Sequence, residues 1–194
     1  MAGGVAATLA APQSVLAQPT DSYKFLDAVR KGDAETVIKA VEQPGVTFIN
    51  TKDRSTGETA LHITLGRHDL QWTIYLLKHG ARTDILDNSG RSPLMVAAEK
   101  RFAEGVQVLL EAKANPNQTN DSGETPLIRA VQLGDLDSVR LLLSAGADPN
   151  RRDSIAGMSA LDYAKRDNRI PGLIDLLSTN VKAAPSKGIQ GPHL

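Results

Sequence analysis

The chain has 194 residues, 41% of them hydrophobic, enough for one domain with a real core, and its 22 Lys and Arg are balanced by 22 Asp and Glu. That neutrality removes the broad positive field needed for non-specific binding to nucleic acid or an anionic membrane, and aromatics at 4% leave little for a base-stacking platform or a large aromatic pocket. No cysteine is present, which excludes disulfides, thiolate metal ligands and cysteine nucleophiles but suits a reducing or an oxidising compartment equally.

Residues 1–17, MAGGVAATLAAPQSVLA, are uncharged and end in Val15-Leu16-Ala17, a small-residue spacing that resembles a signal-peptidase site before Gln18. The Lys or Arg that normally opens a signal peptide is missing, so the segment reads as a signal peptide or as a flexible tail. The first reading implies a periplasmic or secreted protein, the second a cytoplasmic one. Gly3, Gly4 and Pro12 break the apolar run, and no stable membrane insertion is expected.

Further along, Gly57, Gly90, Gly123 and Gly157 fall 33, 33 and 34 residues apart. The same offset carries Leu61 to Leu94, Leu127 and Leu161, and the pair Leu76-Leu77 to Leu109-Leu110, Leu142-Leu143 and Leu176-Leu177. Several registers kept at once define a repeat array. The units are 21–50, 51–84, 85–117, 118–150 and 151–178, within a domain spanning 18–178; residues 179–194, with two Pro and two Gly, read as a disordered tail.

Each unit has the same local logic. Thr59, Ser92, Thr125 and Ser159 stand where a hydroxyl caps the free N–H groups of a helix. Pro93 and Pro126 follow at the first helical position, where a missing N–H costs nothing. Leu127, Ala130 and Val131 then form a narrow apolar stripe over about two turns, Gly134 ends the helix, and Leu136, Val139, Leu142 and Leu143 mark a second one closed by Gly146. Helices this short are marginal alone, so each pair must bury its remaining apolar side against the next pair. His68 and Arg101 occupy the turn position of Gly134, which predicts strain there; Asn168 occupies it in the last unit; Gly105 is expected to weaken its helix.

A 33-residue period with Gly-x-Thr-Pro-Leu, a Leu-Leu pair and Gly-Ala-Asp-x-Asn resembles the ankyrin repeat. Residues 123–150 match nearly throughout, Thr59-Ala60-Leu61-His62 matches with Ala for Pro, and the outer units are looser, as caps are. The resemblance implies an all-α solenoid of about five helix-turn-helix units joined by β-hairpin-like loops, curved so that hairpins and first helices form a concave recognition face. It extends to bacterial, exported members, among them periplasmic proteins that support a partner enzyme such as a catalase. It further implies a monomeric, non-catalytic module that binds a folded protein and needs no cofactor; a cytosolic adaptor or host-directed effector is the alternative.

The chemistry-bearing residues fit that reading. His62 is expected to hydrogen-bond within the stack, and His68, His79 and His193 share no ligand spacing, so no metal site is expected. Gly157-Met158-Ser159 faintly resembles a hydrolase nucleophile elbow, but the second Gly is replaced by Leu161 and Ser159 is better explained as a cap. Trp72 and Tyr75, at helical spacing, read as packing.

What remains is the surface. By analogy with the family, first helices present Arg30, Lys31, Gly66, Arg67, Glu99, Lys100, Gln132, Leu133, Arg166 and Asp167, and hairpin tips present Lys52, Arg54, Asn88, Arg91, Asp121, Arg151 and Arg152. Of these Arg30, Lys31, Lys52, Arg54, Arg67, Asn88, Arg91, Lys100, Gln132, Leu133, Arg151, Arg152 and Arg166 are the candidate partner-binding residues, and their basic surplus points either to an acidic partner surface or to an ordinary mixed, solvated face. Five helix pairs at about 8–10 Å spacing give a strip roughly 40 Å long, and at about 20 Å width on the order of 800 Å² per partner, a standard interface.

Overall fold

The computed structural model describes residues 19–43, 48–167 and 169–183. The signal-peptide or tail segment 1–17, the turn residue Asn168 and residues 184–194 lie outside them.

Among the described residues ten helices form five antiparallel pairs: α1 (Pro19–Lys31) with α2 (Ala34–Glu42), α3 (Ala60–Gly66) with α4 (Leu70–Lys78), α5 (Pro93–Glu99) with α6 (Ala103–Glu111), α7 (Pro126–Leu133) with α8 (Leu136–Ser144), and α9 (Ala160–Asp167) with α10 (Leu173–Ala183). A 3-10 turn, Phe48–Asn50, stands in the first link. The last helix thus runs past the domain boundary drawn at Ser178.

The caps start each short helix where the hydroxyls stand. Ser92 Oγ accepts from the Met95 N–H, Thr125 Oγ1 from Ile128 and Ser159 Oγ from Asp162, each at 3.2 Å. Second helices use carboxylates instead: Asp33, Asp69 and Asp135 accept from the amides of Thr36, Trp72 and Ser138. Between the two helices the chain turns through the left-handed region, at Gly134 (φ +69°) but also at His68 (φ +58°) and Arg101 (φ +54°), where a side chain makes that conformation costly. The His68 ring offsets part of that cost by stacking on Phe102 with centroids 4.9 Å apart.

Gly105, expected to weaken α6, is required by packing. A Cβ there would overlap the Phe102 ring and press on Leu65, so a better helix former would displace the core.

First helices stack in one row, α1 on α3 on α5 on α7 on α9, and α4, α6 and α8 stack in a second. Leu61, Leu94 and Leu127 are sealed between the rows, Leu76, Leu109 and Leu142 likewise, and one continuous apolar cluster runs from Phe25 to Leu177. At the last unit the pattern changes. Leu161 is only half-buried because among the described residues no further first helix stacks on α9, and Leu177 rather than Leu176 is fully buried, since α10 restarts after Pro171-Gly172.

The links stack as well. Gly57, Gly90 and Gly123 each have positive φ, and a Cβ on any of them would collide with Asn88, Asp121 or Ser154 of the next link. Those same residues donate their backbone N–H to the carbonyl before the glycine: Asn88 to Thr56 (2.9 Å), Asp121 to Ser89 (3.5 Å) and Ser154 to Ser122 (2.9 Å). Only a residue without a side chain permits so close an approach.

Candidate functional site

First helices and links together form one face of the stack, and its rigidity begins in the links. Asp53, Asp87, Asn120 and Asp153 recur there, and each uses Oδ1 to accept from two backbone amides of its own turn. Such side-chain-to-backbone bonds fix the loop without a strand. Burial works against the Asp153 carboxylate, yet the Ala156 amide and the Tyr163 hydroxyl (2.8 Å) hold it below the usual carboxylate range. Asp53 is held well below that range by the Ser55 hydroxyl and then by Arg30.

Above these turns lies a charge network across the middle of the face. Arg91 pairs with Asp87 (2.6 Å) and Glu99 (3.1 Å), and Arg129 approaches Glu99 (3.6 Å) and Glu124 (3.8 Å). Arg129 also donates to Gln132 Oε1 (2.8 Å), and Gln132 donates to Glu124 (3.2 Å). Toward the N-terminal end Arg30 pairs with Asp53 (2.7 Å) and lies 4.0 Å from Glu58.

Several candidate residues are therefore already engaged. Lys31 pairs with Asp27, Asn88 donates to the Ser55 carbonyl, and Arg152 pairs with Asp162. Arg67 folds back onto the end of α1, donating to the Val29 (2.8 Å) and Arg30 (2.7 Å) carbonyls, where a cation suits the negative helix terminus. Arg166 lies over the Tyr163 ring at 4.8 Å. Leu133 is half-buried beside an open cleft of about 250 Å³ shared with Gln132, Gly134, Asp167, Arg169 and Ile170. By contrast the side chains of Lys52, Arg54, Lys100 and Arg151 are exposed and have no hydrogen-bonding or ion-pair partner among the described residues.

Arg129 was not among the candidates. Its signal in the sequence is a charge at a position that is Ile63, Val96 or Tyr163 in other units.

His62 is placed as expected, inside the stack. Its Nδ1 accepts from the Thr59 amide (3.1 Å), completing a reciprocal cap, and Nε2 donates to the Arg91 carbonyl of the next link (3.0 Å). Burial drives its pKa below the ordinary histidine value. A depressed folded pKa means that the unfolded chain binds the proton first, so His62's contribution is full above about pH 6.5 and declines as pH falls. In urea denaturation at pH 7.5 and 5.5 the parent is expected to lose stability, with a slope of at most about 1.4 kcal/mol per pH unit from this site, and His62→Met to lose less. Equal losses in both chains would contradict the assignment.

Ser159 and Asp162 cap one another at the start of α9, Asp162 Oδ2 accepting from the Ser159 amide at 3.1 Å, and this accounts for both side chains without catalysis. Among the described residues no group of three or more His, Asp or Glu is placed to hold a metal ion, and no helix is long and apolar enough to cross a membrane.

Paired short helices stacked in register, with hydrogen-bonded links along one edge, define a helical repeat solenoid. Comparison with protein families identifies which one: three ankyrin repeats match at residues 25–120 and a further ankyrin repeat at residues 122–154. The chain belongs to the ankyrin-repeat family. Ankyrin repeats generally serve as protein–protein interaction modules, and proteins built from them are typically non-catalytic.

Proposed function

We propose that this chain is a non-catalytic binding module that seats a folded protein on the concave face of its stack, and that the partner brings an acidic surface. The observation that carries this is the contrast along that face. Its carboxylates Asp53, Glu58, Asp87, Glu99 and Glu124 are tied to Arg30, Arg91 and Arg129, whereas the exposed side chains of Lys52, Arg54 and Lys100 have no partner among the described residues. A partner's carboxylates would meet those cations without first breaking an internal pair. The paired floor, in which carboxylates outnumber guanidinium groups, would reject them.

The test reverses charge only where no intrachain bond is lost. Lys52, Arg54 and Lys100 are changed together to Glu, with Lys39→Glu/Lys78→Glu on the second helices as the control, and both are compared with the parent by quantitative affinity capture from the native extract and by titration of each captured protein. The rim variant is expected to weaken an acidic partner at least about tenfold and the control to leave it unchanged. If the rim variant keeps every partner at parental affinity, this face is not the site. Arg67 is left out because its loss would also uncap α1.

A further inference from the structure

Among the described residues the ladder of links has an open end. Gly57, Gly90 and Gly123 each receive a residue of the following link, but a Cβ built on Gly157 would meet nothing within 4 Å. The carbonyls of Thr56, Ser89 and Ser122 each accept from that residue's N–H, while the equivalent carbonyl, of Ala156, accepts no hydrogen bond from any described residue. Beside it Ile155 is 81% exposed, the most exposed large apolar side chain among the described residues; it stands two residues after the turn-forming Asp153, where Asp53, Asp87 and Asn120 are followed by Ser55, Ser89 and Ser122. A terminal link whose only task was to stay in water would keep the serine.

We propose that this edge is a docking site, separate from the concave face, for a protein partner that presents a turn carrying Asn, Asp or Ser: its backbone N–H would bond the Ala156 carbonyl, its small side chain would lie against Gly157, and an apolar neighbour would cover Ile155. The occupant's chemistry is copied from the three internal rungs, which use Asn88, Asp121 and Ser154, and the edge continues the interface that joins those links. A second copy of the chain is a poorer occupant. Each of its own rung-forming residues is already consumed inside its stack, and the first link offers Arg54 at that position. The inference rests on the chain being a protein-binding module but not on the acidic partner or the rim cations.

The experiment is an amide NMR titration of the full chain with a cyclic peptide carrying residues 86–92, which contain the Asn88 turn, and with a scrambled cyclic peptide. Saturable shifts confined to residues 154–159, seen with the native order only, are expected. Gly157→Asn fills the seat with a residue that tolerates positive φ, and Ile155→Asp removes the apolar contact; each should weaken the peptide at least about tenfold with the melting curve retained. The Lys52, Arg54 and Lys100 reversal should leave the titration unchanged, which separates this site from the concave face. Absence of shifts up to the solubility limit, shifts elsewhere, or undiminished binding to Gly157→Asn would overturn the proposal. The same shifts on concentrating the chain alone would assign the edge to a second copy and overturn it too.

Discussion

Leu127→Ala is expected to lower the unfolding free energy by roughly 3–4 kcal/mol, the range for a fully enclosed leucine whose surroundings cannot collapse into the cavity. Leu127 has no exposed surface, and its helix α7 packs on α5, α8 and α9, so the void opens at the centre of the first-helix row. In a linear stack stability is a sum over neighbours, and the unit α9–α10 has neighbours on one side only. Loosening α7 should therefore uncouple the last pair before the first pairs melt. Trp72, the single tryptophan, sits in α4 and reports the N-terminal half, while far-UV circular dichroism reports all helices. In urea the two signals should coincide for the parent and separate for the variant, with the dichroism falling first. Coincident transitions shifted by less than about 1 kcal/mol would show that the cavity collapses or that the stack melts as one unit.

The solenoid was legible because its rules are local. A hydroxyl, then Pro or Ala, then Leu at fixed offsets states where the first helices of the last four units start, and four glycines 33, 33 and 34 residues apart mark the links that precede them. Leu177 replacing Leu176 in the core was not legible, because the Pro171-Gly172 turn resets α10 and periodicity assumes no reset. Gly105 misled for a related reason: helix propensity is a property of one residue, whereas the need for glycine comes from Phe102 and Leu65, the latter in another unit. Charge was the least legible. Arg30, Arg67, Arg91 and Arg129 find partners up to 38 residues away or in adjacent units, so counting basic residues gave the candidate face a surplus that the fold largely spends internally. What the count could not separate, the structure does: the side chains of Lys52, Arg54, Lys100 and Arg151 have no partner among the described residues.

Asp87→Ala is expected to cost about 3 kcal/mol, the lower end for removing one member of a buried ion pair. The Asp87 side chain is 1% exposed and holds the Ser89 amide, the Arg91 amide and the Arg91 guanidinium, so its loss strands three donors. The cost stays at the lower end because Arg91 is 31% exposed and keeps Glu99. Asp87→Asn should cost less, since Asn120 shows in the next link that an amide oxygen satisfies both backbone donors, and the loss is confined to the ion pair and to the acceptor that the amide nitrogen takes away from Arg91. Burial raises the Asp87 pKa, but the Arg91 guanidinium and the two amides outweigh it and hold the group below the ordinary carboxylate value. A depressed folded pKa means that this stabilisation is complete above about pH 4, the unfolded value, and is lost as pH falls through the folded one. The difference between the parent and Asp87→Asn should then be constant from pH 7 to 5 and shrink below pH 4 in urea denaturation. A difference that persists undiminished at the lowest pH at which both chains fold would place its origin in packing, and Asp87 would not be the ionic clamp that sets Arg91 on the floor of the face.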